Sequence, residues 1–475
     1  MRRAAVVGGG VCGVTAAKCL LEEGIEPVVF EQNSRLGGIW TFDEALPDGG
    51  GPAYRSLHTN TIRAITAYSD FPLPEDLPEF PGRADIERYL NAYADHFGVR
   101  ECVRFRTRVE AVTPLADDRW AVCTAGSASP EIFDAVLVCS GVFRTPLQPR
   151  LPGAETFTGT LLHSRSYTAP EPFAGQTVVV VGAGSSGNDI AIELSQVARQ
   201  VILSARSADW SAVLRRPVRS TKPNRMQQVR QAARRLSTRL RRHAALVRQK
   251  AGRGHEVAPD APFELGTAPL SLKPALFERI SAGTVSPKPQ ITRIAGDCVA
   301  FGDGSQVRAD TIIAATGYAV EFPFLDPGIV PVSAEGLPLY RIVFPPDYPT
   351  LAFLGMFRVT GPVPPVAEMQ ARWVAQVLRG GVHLPAPDAM RASIAARMAL
   401  IARTGGNPFR LDFEAYLDLL AAEIGVLPRL WRHPRLWPAL LTGPPVSARY
   451  RLDGRGRWCG AARVILAANR PKSTR

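Results

Sequence analysis

Two short glycine loops carry the clearest chemistry in this 475-residue chain. Ala4-Ala5-Val6-Val7 runs into Gly8-Gly9-Gly10-Val11-Cys12-Gly13, and residues 14–21 continue with helical spacing. Val178-Val179-Val180-Val181 runs into Gly182-Ala183-Gly184-Ser185-Ser186-Gly187, and a second helical stretch opens with Asn188 and Asp189. Both read as strand, G-x-G-x-x-G, helix. Such a loop binds a pyrophosphate. The first glycine permits the tight turn, the second lets backbone approach the phosphates, and the third lets helix pack on strand. The free N–H groups at the helix start then face the anion. A lone G-x-G-x-x-G is a weak signal, but here an apolar strand precedes and a helix follows each copy.

The residues after each loop tell the two apart. Pro27-Val28-Val29-Phe30 ends in Glu31, about 20 residues beyond the first glycines, where a carboxylate accepts from a ribose hydroxyl. Gln200-Val201-Ile202-Leu203 ends in Ser204-Ala205-Arg206 with no acid. A guanidinium there suits a 2′-phosphate, which it meets in a fork geometry. The first loop therefore predicts FAD or NAD, and the second NADP. Two such sites in one chain point to electron transfer between a nicotinamide and a flavin.

The elements that must hold these sites follow from length and patterning. The chain is long enough for about three folding units. With 46% apolar and 21% charged residues it is an ordinary globular protein, not a disordered tail, coiled coil or disulfide scaffold. The predicted fold class is α/β, with two Rossmann-like dinucleotide-binding domains, one inserted in the other. Residues 1–150 begin the FAD domain, 151–172 form a linker, 173–310 the inserted NADP domain, and 311–475 the rest of the FAD domain with a C-terminal helical region. Ala135-Val136-Leu137-Val138-Cys139 and Thr311-Ile312-Ile313-Ala314-Ala315 read as the chain crossings at the two junctions.

No apolar run approaches the roughly 20 residues that a membrane span needs. The start at Met1-Arg2-Arg3 leads straight into a strand pattern, which predicts no cleavable leader, and polar residues 470–475 predict no anchored tail. Seven scattered cysteines without a C-x-x-C predict a reducing cytosol, no metal and no dithiol chemistry. The net charge of +13 is local: of 56 Lys and Arg, fourteen fall between Arg215 and Arg253, leaving 42 against 43 Asp and Glu. Within this basic segment, 213–255, Met226, Val229, Ala233, Leu236, Leu240, Ala244 and Val247 recur at helical spacing, with arginines such as Arg230, Arg239 and Arg248 mostly off the stripe. This pattern fits a solvated helix packed on its own domain, reversible contact with an anionic membrane, or a second copy of the chain. The interleaved aromatics usual for nucleic-acid binding are missing.

Further motifs make the chain similar to the flavin-containing monooxygenases of the dimethylaniline N-oxide-forming type. Phe157-x-Gly159-x-x-x-His163-x-x-x-Tyr167 matches that family's fingerprint and stands before the second glycine loop. Gly37-Gly38-Ile39-Trp40, Thr59-Asn60-Thr61, Ser69-Asp70-Phe71-Pro72, Ala315-Thr316-Gly317-Tyr318 and Glu368-Met369-Gln370-Ala371-Arg372-Trp373 extend the resemblance over the chain. It implies that residues 8–13, Glu31, Gly38, Ile39, Trp40, Asn60 and Thr61 hold FAD. It sets Gly182, Gly184, Ser185, Ser186, Gly187, Asn188, Asp189, Ser204 and Arg206 on NADPH, with Thr59 and Asn60 toward the nicotinamide. Thr316, Gly317 and Gln370 are implied beside the cofactors, and Asn60 matches the family's active-site asparagine. His163, in the linker, reads as a domain-orienting residue rather than an acid or base.

The implied reaction puts one atom of O2 into an amine nitrogen or sulfide sulfur, through a C4a-hydroperoxyflavin kept by bound NADP⁺. A Baeyer–Villiger enzyme acting on ketones is the alternative, although that family's fingerprint ends in tryptophan where Tyr167 stands. A flavin-binding sensor is a third reading. Cys12 departs from the family's usual serine, which adds an oxidation liability beside the flavin. The chain is expected to be cytoplasmic, or peripheral to a membrane through its basic helix.

Arg206→Ala is expected to weaken NADPH binding far more than NADH binding, because the fork-shaped phosphate partner is lost. Equal loss for both cofactors, measured by flavin-reduction kinetics, would remove the basis for the NADP assignment.

Overall fold

The computed structural model describes residues 2–43, 51–205, 236, 239, 240, 273–333, 336–405, 407 and 409–470. β1 (Arg3–Val7) leads through the first glycine loop into α1 (Val11–Glu22) and back along β2 (Glu26–Phe30). α2 (Arg83–His96) and β3 (Val103–Arg104) follow. An antiparallel trio, β4 (Val109–Pro114), β5 (Trp120–Thr124) and β6 (Glu131–Phe133), precedes β7 (Ala135–Val138) and the two-residue β8 (Thr145–Pro146).

The second region runs β9 (Thr160–His163), β10 (Thr177–Val181), α3 (Ser185–Leu194), β11 (Gln200–Ser204), α4 (Pro274–Ser281) and β12 (Val285–Lys288). Another antiparallel trio, β13 (Ile291–Ala295), β14 (Cys298–Phe301) and β15 (Gln306–Arg308), leads to β16 (Thr311–Ala314). The chain returns through β17 (Tyr318–Ala319) and β18 (Leu351–Phe353) to the helices α5 (Val363–Leu378), α6 (Pro387–Thr404), α7 (Phe413–Glu423) and α8 (Ala461–Ala468).

Two parallel five-stranded sheets result, ordered β18-β7-β1-β2-β3 and β12-β11-β10-β16-β9. Their central strands are valine and alanine runs because both faces are covered. Ala4, Ala5 and Val6 of β1 and Val178, Val179 and Val180 of β10 are fully buried. In each sheet the strand order reverses beside the strand that carries a glycine loop. Both loops therefore open at a topological switch point, the crevice where such sheets bind ligands.

The expected linker contributes more than a connection. Its strand β9 pairs in parallel with β16, so both are part of the second sheet, although the sequence pattern sets residues 151–172 and 311–314 outside the inserted domain. The cause is hydrogen bonding: the edge of β16 needs a partner, and the linker's backbone supplies it. The crossing itself is made by β8 and β17, which pair antiparallel with Tyr318 opposite Pro146. The basic segment lies outside the described residues except for Leu236, Arg239 and Leu240. There the expected faces are exchanged. Leu240 of the apolar stripe is exposed, while Arg239 is buried. Its guanidinium grips Glu414 at 2.8 and 3.1 Å and donates to the carbonyls of Leu440 and Gly443. Among the described residues no helix is long and apolar enough to cross a membrane.

A buried cluster of charges joins α1, α5 and the chain ends around them. Lys18 on α1 meets Asp70 at 2.6 Å and Glu22 at 2.7 Å. Arg451 meets Asp70 at 2.7 Å and Glu368 of α5 at 2.8 Å. Glu368 also accepts the Ser69 N–H at 2.7 Å and the Ser69 hydroxyl. Burial alone would push the Glu368 carboxyl up. The charges of Arg451, Lys18 and Arg372 and the Ser69 hydroxyl outweigh it and hold the carboxyl down at about 2.

The sign of the resulting pH dependence follows from that depression. Its stabilisation is complete above the ordinary value of 4.5 and is lost as pH falls toward about 2. Glu368→Gln should cost about 3–5 kcal/mol at neutral pH, because Arg451 and Lys18 lose a buried counter-charge. Urea unfolding of the variant should also show a flatter acid limb than the parent. A loss under about 1 kcal/mol would contradict this account of the cluster.

Candidate active site

A cavity of about 430 Å³ opens at the C-terminal ends of β1, β2 and β7. The first glycine loop forms its floor. Gly8 has φ +109°, a conformation that favours glycine, and a Cβ on Gly13 would collide with the Gly8 carbonyl. Helix and strand can approach this closely only at that position, so Gly13 sits behind the wall while Gly8, Gly9, Gly10, Val11 and Cys12 line the cavity. Glu31 lines it too. Its carboxylate accepts the Gly9 and Asn33 N–H groups, each at 2.7 Å. A carboxylate has about four acceptor positions, so capacity is left for a hydroxyl. Gly38 faces Gly10 across the loop, and a Cβ on Gly38 would stand 2.9 Å from the Gly10 Cα. Ile39 and Trp40 continue from Gly38 as a short 3₁₀ turn on the same wall.

Thr59, Asn60 and Thr61 form the opposite side. The Thr59 N–H donates to Pro81, its hydroxyl donates to the Thr61 carbonyl at 2.9 Å, and the Thr61 hydroxyl meets that of Thr66 at 2.8 Å. The two threonines are thus consumed in holding the turn. Asn60 at its apex is exposed, and its amide has no hydrogen-bond partner among the described residues. Val142, Phe143, Phe324, Phe357 and Val363 add an apolar lining. The N-terminus of α5 borders the same space through residues 361–364, bringing the positive end of a 16-residue helix.

Gln370 is placed differently from expectation. It is fully buried on α5 behind the wall. Its Oε1 accepts the Gly355 N–H at 3.0 Å and its Nε2 donates to the Tyr416 hydroxyl at 2.8 Å. It holds Gly355, which does line the cavity. The Cys12 thiol presses on that same residue: a Cβ on Gly355 would meet Cys12 Sγ. Burial pushes the Cys12 thiol up to about 12. It therefore stays protonated, which curbs the expected oxidation liability because the thiolate is the reactive form.

The second loop repeats the first in geometry. Gly182 has φ +112°, and a Cβ on Gly187 would collide with the Gly182 carbonyl. Gly184 and Ser185 are exposed and nothing stands within 4 Å of a Cβ on Gly184, so this loop offers open backbone at the start of α3. Ser186 is half-buried and Asn188 fully buried beside them. Two expected ligand contacts are otherwise engaged. Asp189 accepts the Tyr54 hydroxyl at 2.6 Å and pairs with Lys273. Ser204 donates to the Pro289 carbonyl at 2.8 Å. Both side chains turn inward because they tie α3 and β11 to their neighbours. Arg206 lies outside the described residues.

Thr316 and Gly317 sit at the crossing. The Thr316 hydroxyl donates to the Leu147 carbonyl at 2.5 Å, and the Gly317 carbonyl accepts the Leu147 N–H. His163 Nδ1 accepts the Arg165 N–H at 3.0 Å, which leaves Nε2 to donate to Gly317 at 3.0 Å. Burial lowers the His163 pKa, the Gly317 bond opposes this, and the Arg165 charge adds to it. The imidazole is a neutral strut between β9 and the crossing, and it does not line the cavity. Tyr167 is fully buried and donates to Glu193 at 2.7 Å, one turn along α3 from Asp189. Sequence reasoning missed Gly355, Phe324 and Val363. No motif marks them: Gly355 follows β18, Val363 opens α5, and the Phe324 carbonyl accepts the Val112 N–H of β4 at 2.7 Å, so each reaches the cavity only through long-range packing.

The chain resembles proteins of known kind over nearly all its length. The flavin-binding monooxygenase-like family model matches residues 1–473. Flavin-containing monooxygenase 1 of Rattus norvegicus is 36% identical over 492 residues, covering 98% of this chain and 92% of the relative. Flavin-containing monooxygenase 2 of Homo sapiens is 34% identical over 498 residues, covering 98% and 91%. Among solved structures, S-allyl-L-cysteine S-oxygenase from Allium sativum superposes with a TM-score of 0.69 at 25% identity, covering 98% of this chain and 99% of that one. Cyclohexanone monooxygenase in its closed form shares the fold, with a TM-score of 0.61 at 20% identity over 88% and 96% of the two chains. With the match spanning residues 1–473 and a glycine loop at the switch point of each sheet, the chain belongs to the flavin-binding monooxygenase-like family and is an NADPH-dependent flavoprotein monooxygenase.

Proposed function

We propose that the cavity beside the first glycine loop oxygenates a small molecule at an amine nitrogen or a sulfide sulfur. The observation that carries this reading is the Asn60 amide, which lines the cavity with no partner among the described residues. FAD, reduced by NADPH, supplies the oxygen activation. The chain's own residues supply place and environment. Gly8, Gly9 and Gly38 leave a cradle in which side chains would not fit, and Glu31 accepts from a ribose hydroxyl at its edge. The open backbone at Gly184 and Ser185 takes the pyrophosphate of NADPH. Tyr54 and Tyr167 tie α3, the helix that the second loop opens, to the segment leading to Asn60 and to the linker.

Asn60 can donate and accept at the reacting atoms without bringing a charge. The threonines on either side hold its backbone, so little ordering is left for the moment of reaction. The apolar side chains of Val142, Phe143, Phe324, Phe357 and Val363 keep water from the reacting centre. The sulfide reading gains support from the likeness to S-allyl-L-cysteine S-oxygenase. Ketone oxidation has no comparable support: Tyr167 stands in the fingerprint where tryptophan marks that class, and cyclohexanone monooxygenase shares the fold alone.

Asn60→Ala should keep its FAD but lower the ratio of oxygenated product to hydrogen peroxide by about 10², the usual cost of one lost donor at a reacting centre. Product analysis with a tertiary amine and a thioether, alongside peroxide release, checks this. An unchanged ratio would remove Asn60 from the reaction.

Cys12→Ser should leave turnover unchanged. A thiol reagent at neutral pH should label the exposed Cys459 and spare Cys12. Mass spectrometry of the labelled protein reads the outcome, and rapid labelling of Cys12 would contradict its protonated, enclosed state.

A further inference from the structure

A second cavity, of about 330 Å³, shares no lining residue with the oxygenation site. It is bounded by the last turns of α1, the second half of α5, the residues just after α7, and the segment before α8. Glu22, Arg455 and Gly456 of its lining are exposed, so the cavity reaches solvent.

Arg372 of α5 lines this cavity and is only 6% exposed. A guanidinium has five N–H donors. Two of them reach the Tyr450 and Arg455 carbonyls, both at 3.2 Å. The other three have no acceptor among the described residues, and Arg372 forms no ion pair there. The neighbouring carboxylates are spent on other cations. Lys18 and Arg451 share Asp70, Lys18 also takes Glu22, and Arg451 also takes Glu368. Arg379 and Arg455 share Glu23, at 2.8 and 2.7 Å. Arg372 is thus the cation left over. Burial and the charge of Arg451 push its pKa down to about 10, against the pull of Glu368. A buried charge without a counter-ion is costly, and an anion in the cavity would remove that cost.

We propose that this cavity binds a small organic carboxylate on the Arg372 guanidinium. A planar carboxylate accepts two parallel N–H bonds from one guanidinium, which uses donors that are otherwise idle. Its single charge balances the surplus cation. A phosphate dianion would exceed that surplus and face Glu22 and Glu23. Water would accept the hydrogen bonds but leave the charge uncompensated. Buried Val426 and Cys19, with half-buried Ile424, offer apolar walls for a short alkyl body. The volume is at the small end for a ligand pocket, which suits an acid of a few carbons. The N-terminal ends of α1 and α5 border the oxygenation cavity, while this site lies at their far ends. Occupancy therefore stabilises the helices that frame the oxygenation cavity without entering it, and the test is independent of the proposed reaction.

The experiment titrates sodium butyrate into the full chain with its FAD, at an ionic strength held constant with sodium chloride. Saturation-transfer NMR of the butyrate methyl signal and thermal unfolding read the binding. Butyrate should saturate with a Kd on the order of 1 mM, and at 100 times Kd the folding equilibrium should gain about 10². Butyramide, similar in shape but uncharged, should bind at least about tenfold more weakly. Arg372→Gln should weaken butyrate by a similar factor. Ile424→Trp fills the apolar end and leaves every charge in place. It should also weaken butyrate at least about tenfold, with FAD content and NADPH oxidation at parent levels. This second variant decides the matter if Arg372→Gln does not fold. Equal binding of butyramide or of inorganic phosphate would overturn the proposal. So would butyrate binding unchanged by Ile424→Trp, or the absence of saturable binding.

Discussion

The structure hangs on the buried meeting of Arg451, Glu368, Asp70 and Lys18. Each member comes from a different stretch of chain. Lys18 is on the helix that begins at the first glycine loop. Asp70 lies a few residues beyond the turn that presents Asn60. Glu368 is on the helix that carries Gln370 and opens beside the cavity. Removing four charges from water is expensive, and only a closed set of partners at hydrogen-bond distance offsets it. An apolar cluster would tolerate small slides between these segments. Directional charge pairs accept one arrangement, so the walls of the cavity inherit one register. Gln370 extends the same logic two residues along α5, where its amide links Gly355 on the cavity wall to Tyr416 on α7.

A second set of polar contacts relates the two sheets. Tyr54, from the segment leading to the Asn60 turn, and Tyr167, from the fingerprint, stand edge to face with ring centres 6.0 Å apart. Their hydroxyls reach Asp189 and Glu193, successive turns of α3. Burial, with these carboxylates adding to it, raises both phenol pKa values, so the hydroxyls remain donors. The helix that begins at the second glycine loop is thereby held by residues of the first region and of the linker. The fingerprint is a piece of this junction: its tyrosine seats α3, its histidine braces Gly317, and its strand completes the second sheet. Chemistry that passes electrons between two dinucleotides depends on such a junction, because transfer falls off unless the two rings are brought together.

Much of this was legible in the residues themselves. The glycine loops, the valine-rich strands before them and the helices after them follow from local rules of backbone sterics and hydrogen bonding. Glu31 is also locally determined, since β2 is short and ends beside β1. The tertiary structure decided the rest. Gln370 and Glu368 lie two residues apart on one helix. One supports a glycine of the cavity wall and the other closes a charge cluster, and no spacing rule separates these roles. Asp189 and Ser204 occupy ligand-like positions in the motif, yet their side chains are claimed by Tyr54, Lys273 and Pro289. Arg239 sits in a run of cations that reads as a solvated face, yet its guanidinium is enclosed by Glu414 and two carbonyls. Local pattern dictates which backbone groups are free and which faces are apolar, because those depend on neighbours a few residues away. Which polar group consumes which is settled only when distant segments meet, since a buried hydrogen bond depends on a partner tens to hundreds of residues distant in the chain.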